Sequence, residues 1–391
     1  MNLLSQLAAG AAALALMAGG AAAQDDPLKI GLMLTLSGPP AILGKNIQDG
    51  FDLAVAEAGG KLGGMETEII VVDDELKPDV ALTRVKGLIE RDGIDILTGI
   101  VFSNILQAVF RPVTESEVFL IGANAGTSTF AGEGCSPFFY SASWQNDTIH
   151  EVMGKYAQDE GHQRLLLIVP NYQAGKDSVA GFKRYFEGEI VDEIYTQLGQ
   201  LDFSAEIAKI AAAKPDAIFT FMPGGMGVNL VKQYSQAGLA ATIPFLSAFT
   251  VDETTLPATQ DAALGFFSSA QWTPDLDNAA NKAFVENFEK TYGYTPSLFA
   301  SQGYDAARLI DSAVRAVGGK LDDKEALQAA FKQADFASVR GDFKFNNNNF
   351  PIQDYYLVEA VKRDDGRYVT KAVEKVFDDY GDVYAKDCPL K

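Results

Sequence analysis

The chain has 391 residues, 47% of them hydrophobic, and a formal net charge of −20. That length exceeds what a single hydrophobic core usually organises, so two lobes are expected, and the apolar content excludes a disordered chain. The acidity argues against nucleic acid and anionic membrane surfaces as partners and is otherwise what a well-solvated surface carries.

Residues 1–23 read as a signal peptide. Leu7 to Met17 (LAAGAAALALM) has the length of an apolar h-region, and Ala21-Ala22-Ala23 forms an A-x-A site with cleavage expected before Gln24. The n-region is unusual in carrying no Lys or Arg. A membrane anchor fits less well, because the run falls short of about 20 apolar residues. The mature chain is therefore expected to be exported and soluble. Two cysteines, Cys135 and Cys388, are present. In an oxidising compartment they invite one disulfide tying the C-terminal tail to a Gly-rich loop; the alternative is two unpaired thiols.

The mature chain begins with a strand over Leu28–Leu34, apolar enough to be buried on both faces. The loop Ser37–Lys45 (SGPPAILGK) punctuates it, and the periodicity predicts a helix over 46–58 stopped by Gly59-Gly60. A strand over 67–72 ends in Asp73-Asp74. A carboxylate pair can serve metal or acid–base chemistry, but one pair without further ligands reads as a capped or solvated turn. Pro78 opens a helix to Arg91, and Ile94–Thr98 returns to the sheet. Two βα units in so short a stretch predict an α/β fold with parallel sheets.

Leu97 to Thr127 then reads as strand, loop, helix, strand, loop. Ser103 and Asn104 open the helix, and Ala123, Asn124, Ala125 and Thr127 follow the next strand. Ligands of open parallel sheets bind beyond the carboxyl ends of the strands. A helix beginning at Ser103 also offers unpaired N–H groups and a positive dipole end, which suits an anion. The stretch is half of a candidate carboxylate site. A short strand over 138–141 precedes Trp144, which serves either as packing or as a cleft wall. From Asp147 the βα alternation restarts, with strands expected at 164–169, 190–195, 217–221 and 243–246, as a second lobe requires. Within it PNYQAGKD fails the phosphate-loop pattern and PGGMGVNL fails the dinucleotide pattern. Both remain strand-to-helix loops, so Tyr172 and Met222 are expected at a cleft rather than on a nucleotide. Helices are expected over 277–292, 296–317 and 324–334, then strands over 341–345 and 354–360 around the turn Asn346–Phe350.

Nothing in the chain has the spacing of a catalytic motif: G-x-S-x-G, H-E-x-x-H and CxxC are absent. His150 is expected on an exposed helix face and His162 just past that helix. Neither an enzyme, nor a metal, nor a cofactor is indicated.

The segments TLSGPPAILGKNIQDGFDLA, TGIVFSN, ANAGTS, PNYQAGKD, NLVKQYSQAGL, SLFASQGYDA and GDFKFNNNNF, in this order, resemble the periplasmic solute-binding proteins of the leucine/isoleucine/valine-binding type, which serve ATP-driven (ABC) importers. The resemblance implies a type I fold: two doubly wound α/β lobes joined by three crossovers, here near Ser141, Ala270 and Asn349. Lobe 1 is then 27–141 plus 271–348, lobe 2 is 142–270 plus 349–376, and 377–391 forms a tail. It implies a monomer in the periplasm, a small carboxylate ligand and a membrane permease as partner. By the same likeness Ser103 and the amides of Ala123–Ala125 hold the carboxylate, with Leu43 and Tyr172 beside it. The ligand's ammonium is normally met by an acid in the loop SAFTVDE, where the matching residue is Phe249; a shift of register to Asp252 or Glu253 would restore one.

An ammonium buried without a counter-charge costs several kcal/mol. Leu43, Met222, Phe249 and Trp144 instead describe an apolar slot. The stretch CSPFFYSASWQND also resembles the aromatic-acid binders of the family, so the expected ligand is a benzoate or phenylpropanoid acid. The alternatives are a branched-chain amino acid, or the same lobes acting as a ligand-sensing domain for a membrane receptor.

Overall fold

A computed structural model describes residues 26–390, so the expected signal peptide lies outside the described residues. Nine elements build the first sheet and its helices: β1 (Leu28–Leu34), α1 (Ala41–Glu57), β2 (Lys61–Leu62), β3 (Met65–Asp73), α2 (Pro78–Gly87), β4 (Ile96–Gly99), α3 (Ser103–Thr114), β5 (Phe119–Gly122) and β6 (Phe139–Ser141). The chain then passes into a second sheet through α4 (Asn146–Asp159), β7 (Arg164–Pro170), α5 (Gln173–Tyr185), β8 (Glu189–Thr196), α6 (Ser204–Ala213), β9 (Ala217–Phe221), α7 (Gly225–Gln236), β10 (Phe245–Ala248), α8 (Leu256–Thr259) and β11 (Phe267–Ala270). Helices α9 (Ala279–Tyr292), α10 (Leu298–Ala316) and α11 (Lys324–Gln333) follow, and β12 (Lys344–Phe345), β13 (Pro351–Lys362) and β14 (Tyr368–Tyr380) complete the second sheet.

The sheet orders are β2-β3-β1-β4-β5-β6 and β12-β13-β11-β10-β9-β7-β8, with β14 added on β13. The pairs of β1 with β3 and β4, and of β7 with β8 and β9, are all parallel. Strand order therefore reverses between β1 and β4 in one sheet and between β7 and β9 in the other. Such switch points leave a crevice beyond the strand ends, because the connections on either side leave to opposite faces. Helix α10 lies along α1, where Gly50 and Gly303 have no side chain because a Cβ would meet the carbonyls of Ala300 and Ile47 at 1.9 and 2.0 Å.

Several elements differ from the sequence reading. Helix α1 starts at Ala41 rather than near 46, so Leu43 lies in its first turn. Gly44, which reads as a loop residue, is there for closeness: a Cβ would stand 2.2 Å from the Thr35 carbonyl. Strand β10 sits two residues later than expected and delivers Phe249 directly after it. Strands β11 and β14 were not expected. The first, FSSA, is short and built of small residues, and β14 is a hairpin edge with most side chains outside the core and no clean alternation. Because β14 runs to Tyr380, the tail begins there and not at 377.

The connecting segments meet in a buried polar knot. Arg340 pairs with Asp305 at 2.9 Å and donates to the Ser143 carbonyl and to Gln353 Oε1, while Gln353 Nε2 donates to the same carbonyl at 2.7 Å. Cys135 and Cys388 form a disulfide with Cα atoms 5.9 Å apart. The tail is also held by Tyr384, whose hydroxyl donates to Asp147, and by Asn348, whose amide donates to Asp382. Asp74 is buried and accepts from the Thr35 hydroxyl and the Leu76 amide, while Asp73 accepts from the amides of Leu36 and Glu75, so the carboxylate pair is a capped turn.

Candidate ligand-binding site

Both switch points open onto one cleft between the two sheets. Leu43 comes from α1. Val101, Phe102 and Ser103 follow β4, and Asn124 and Ala125 follow β5. Trp144, Asn146 and His150 come from the first connection and α4. Tyr172, Ala174, Phe221, Pro223 and Phe249 follow β7, β9 and β10, and Phe299 caps the cavity from α10.

The polar end is built around Asn146. Its Oδ1 accepts from the Gly126 amide at 3.1 Å, which obliges Nδ2 to face the other way. There Nδ2 donates to Ser103 Oγ at 3.0 Å and to Asp177 Oδ2 at 2.9 Å. Ser103 Oγ thus accepts from Asn146 and keeps its own proton free to donate. The amides of Ile105 and Leu106 both reach the Phe102 carbonyl, whereas those of Ser103 and Asn104 open the helix with no intrahelical acceptor. One hydroxyl and a helix N-terminus therefore face the same corner. Asp177 lies behind Asn146, and the Ser128 hydroxyl and amide and Gln173 also donate to it.

The remaining wall is aromatic. Trp144 and Phe249 lie with ring centroids 4.5 Å apart, and Phe249 meets Phe221 edge-on at 5.7 Å. Tyr172 stacks on Phe221 at 6.2 Å and tilts against Phe102 at 6.0 Å. Burial, with Asp177 adding to it, pushes the Tyr172 phenol well above its ordinary range. Phe249 has φ +52°, a left-handed conformation uncommon for a bulky side chain and costing of order 1 kcal/mol. Trp144 is therefore packing and cleft wall at once.

Among the described residues, no Asp, Glu, Lys or Arg lines the cavity. The two acids after Phe249 are engaged elsewhere. Asp252 accepts from the Thr254 amide and hydroxyl, and Glu253 accepts from the Thr370 amide and hydroxyl at 2.7 Å each. Burial raises both, Glu253 to about 7. Neither acid lines the cleft.

Of the residues singled out in the sequence, Leu43, Ser103, Asn124, Ala125, Trp144, Tyr172 and Phe249 meet at this cavity, and four do not. Met222 points the other way, its Sδ against Thr196 in the second core, because residues in succession at a strand end face opposite sides; its neighbour Phe221 takes the cavity. Thr127 caps a short turn through the Thr129 amide. Asn104 and Ala123 stand outside the wall. The amides of Ala123 and Ala125 do not face a ligand, since they donate to the carbonyls of Gly99 and Ile100. His150 corrects the expectation of an exposed residue: it is 1% exposed and lines the cavity. It was missed because almost every face of the first two turns of α4 is covered, which erases amphipathic contrast. Asn146, four residues earlier, could have been found from its place at a helix start beside Trp144; Phe299 carries no sequence signal.

The sequence profile of the periplasmic binding protein family matches residues 27–367. The chain is 34% identical, with a TM-score of 0.88, to an ABC-transporter solute-binding protein from R. palustris solved in complex with benzoate, covering 93% of this chain and 100% of that one. It is 30% identical, with a TM-score of 0.84, to a solute-binding protein from Rhodopseudomonas palustris BisB5 in complex with 3,4-dihydroxybenzoic acid, covering 90% and 98%. It is also 30% identical over 374 residues to Leu/Ile/Val-binding protein homolog 6 of Brucella melitensis, covering 92% of this chain and 94% of the relative.

Proposed function

The chain belongs to the periplasmic binding protein family, and from that premise we propose that it captures a small aromatic carboxylate between its lobes and presents it to an ABC permease. The observation that carries this reading is the cavity's make-up: a ring-lined slot with one polar corner and no charged side chain among the described residues. The free proton of Ser103 and the first amides of α3 receive the carboxylate, an anion at a helix N-terminus. Trp144, Tyr172, Phe221, Phe249 and Phe299 receive the ring. The R. palustris neighbours solved with benzoate and 3,4-dihydroxybenzoic acid support this choice over a branched-chain amino acid. An amino acid's ammonium would enter this slot without a counter-charge, at a cost of several kcal/mol.

Binding acts through closure. Ser128, in the short turn after β5, donates to Asp177 on α5, and Pro39 faces Gly225 at the start of α7, so contacts flank the cleft on both sides. A ligand that contacts both sides favours this arrangement and creates the surface a permease reads. Export to the periplasm, with residues 1–23 removed, completes the proposal. The test is a thermal-shift screen of the purified protein with benzoate, hydroxybenzoates, phenylpropanoid acids, leucine and valine. Ligand at 100-fold its Kd adds about 2.7 kcal/mol of stability. Stabilisation by leucine or valine, with none by the aromatic acids, reverses the assignment.

A further inference from the structure

The cavity holds a polar side chain, His150, that the carboxylate does not use. His150 follows Asn146 by four residues on α4, so the two project from one face of the helix about 6 Å apart along its axis. Asn146 touches Ser103 at the polar corner. His150 therefore stands one helical turn beyond that corner, about the length of a single aromatic ring away. Its imidazole is packed edge-on against Phe221 at 5.1 Å, Phe219 at 5.8 Å and Phe249 at 5.9 Å.

Its Nδ1 is buried and has no hydrogen-bond partner. Buried polar atoms are satisfied in the great majority of cases, and each exception needs a reason. A Leu or Phe would fill this apolar niche without leaving an orphaned nitrogen. Asn124 repeats the pattern: its Nδ2 donates to the Val101 carbonyl, which fixes Oδ1 as the acceptor, and that Oδ1 is also buried without a partner. Both residues line the cavity. A bare hydrocarbon ring would leave both atoms orphaned.

We infer that His150 is a specificity-determining residue that reads a hydroxyl on the ligand's ring, at the end opposite the carboxylate. The inference rests on the aromatic-acid reading above and narrows it to hydroxy-substituted acids. A phenolic hydroxyl both donates and accepts, so it satisfies the imidazole in either neutral tautomer. Burial keeps the ring neutral, lowering its pKa to about 3, so one nitrogen always offers a lone pair.

Calorimetric titration of the wild-type protein with benzoate, 3-hydroxybenzoate and 4-hydroxybenzoate tests this without relying on any variant. One of the hydroxy acids should bind at least about tenfold more tightly than benzoate, the discrimination expected when a buried polar group is otherwise left unpaired. His150→Phe should abolish that preference by weakening the hydroxy acid more than it changes benzoate, so that the affinity ratio falls to about one, and His150→Gln, which keeps a donor and an acceptor, should retain part of it. Equal wild-type affinity for all three acids overturns the role of His150 and leaves the aromatic-acid reading intact. Absence of binding by all three overturns the role of His150 and the benzoate form of the aromatic-acid reading.

Discussion

Replacing Ser103 by Ala removes one hydroxyl from the polar corner of the cavity and little else. Ser103 is 1% exposed, and its Oγ accepts from Asn146 Nδ2 at 3.0 Å while its proton remains free for the ligand. Hydrogen bonds to a charged group contribute about 1.5–3 kcal/mol. The loss should fall near the middle of that range, because two neighbours limit the damage. Asn146 Nδ2 keeps Asp177 at 2.9 Å and is not orphaned, and the first amides of α3 still face the carboxylate. A loss of about 2 kcal/mol is roughly a 30-fold rise in Kd. Isothermal titration of wild type and Ser103→Ala with the best aromatic acid reads this directly, and a melt of the unliganded variant checks that folding is intact. A Kd unchanged within about twofold in a folded variant would remove Ser103 from the carboxylate site and, with it, the assignment of this corner as the anion end.

Phe249→Asp should weaken an aromatic acid by at least about tenfold, because a carboxylate would enter a slot already holding an anion; tighter binding in a titration would refute the apolar-slot assignment. Reducing Cys135–Cys388, separated by 253 residues, should lower the melting temperature, with about 5 kcal/mol as the ceiling of the chain-entropy argument; superimposable melts with and without reductant would contradict it. Glu289 on α9 pairs with Arg363 at 2.8 Å and Arg367 at 2.9 Å, both in or beside the turn joining β13 and β14. These groups are partly solvated, so Glu289→Gln should lower the stability of the fold by up to about 1 kcal/mol, with the effect fading at high salt; a salt-independent loss in melts would exclude an electrostatic contribution. His150 has its folded pKa depressed to about 3 by burial. Below its ordinary value near 6.5 the unfolded chain takes up a proton that the folded chain refuses, so His150 costs stability increasingly as pH falls from about 6.5 towards 3. Melts of wild type and His150→Gln across that range should converge or cross as pH falls, and a constant difference would refute the buried neutral imidazole.

The sequence by itself determined the class of fold and the edge at which the site lies. Apolar runs such as Leu28–Leu34 and Ala217–Phe221, alternating with helical periodicity, require parallel sheets with covered faces, and a parallel sheet places its ligand beyond the strand ends. Ser103, Asn124 and Tyr172 were legible for that reason, and Phe249 through the family resemblance. Tertiary structure decided which side chains at that edge face inward. Phe221 and Met222 differ by one step of a two-residue period, so a choice that no composition encodes sends one into the cavity and the other into the second core. The amides of Ala123 and Ala125 were lost to the carbonyls of Gly99, at the end of β4, and Ile100, just beyond it, a pairing set by register. His150 lay on a helix buried on nearly every side, where periodicity carries no contrast. Charge was decided in space as well: Asp252 and Glu253 stand within four residues of Phe249, yet local turns and the Thr370 strand take both carboxylates, leaving the cavity an uncharged slot.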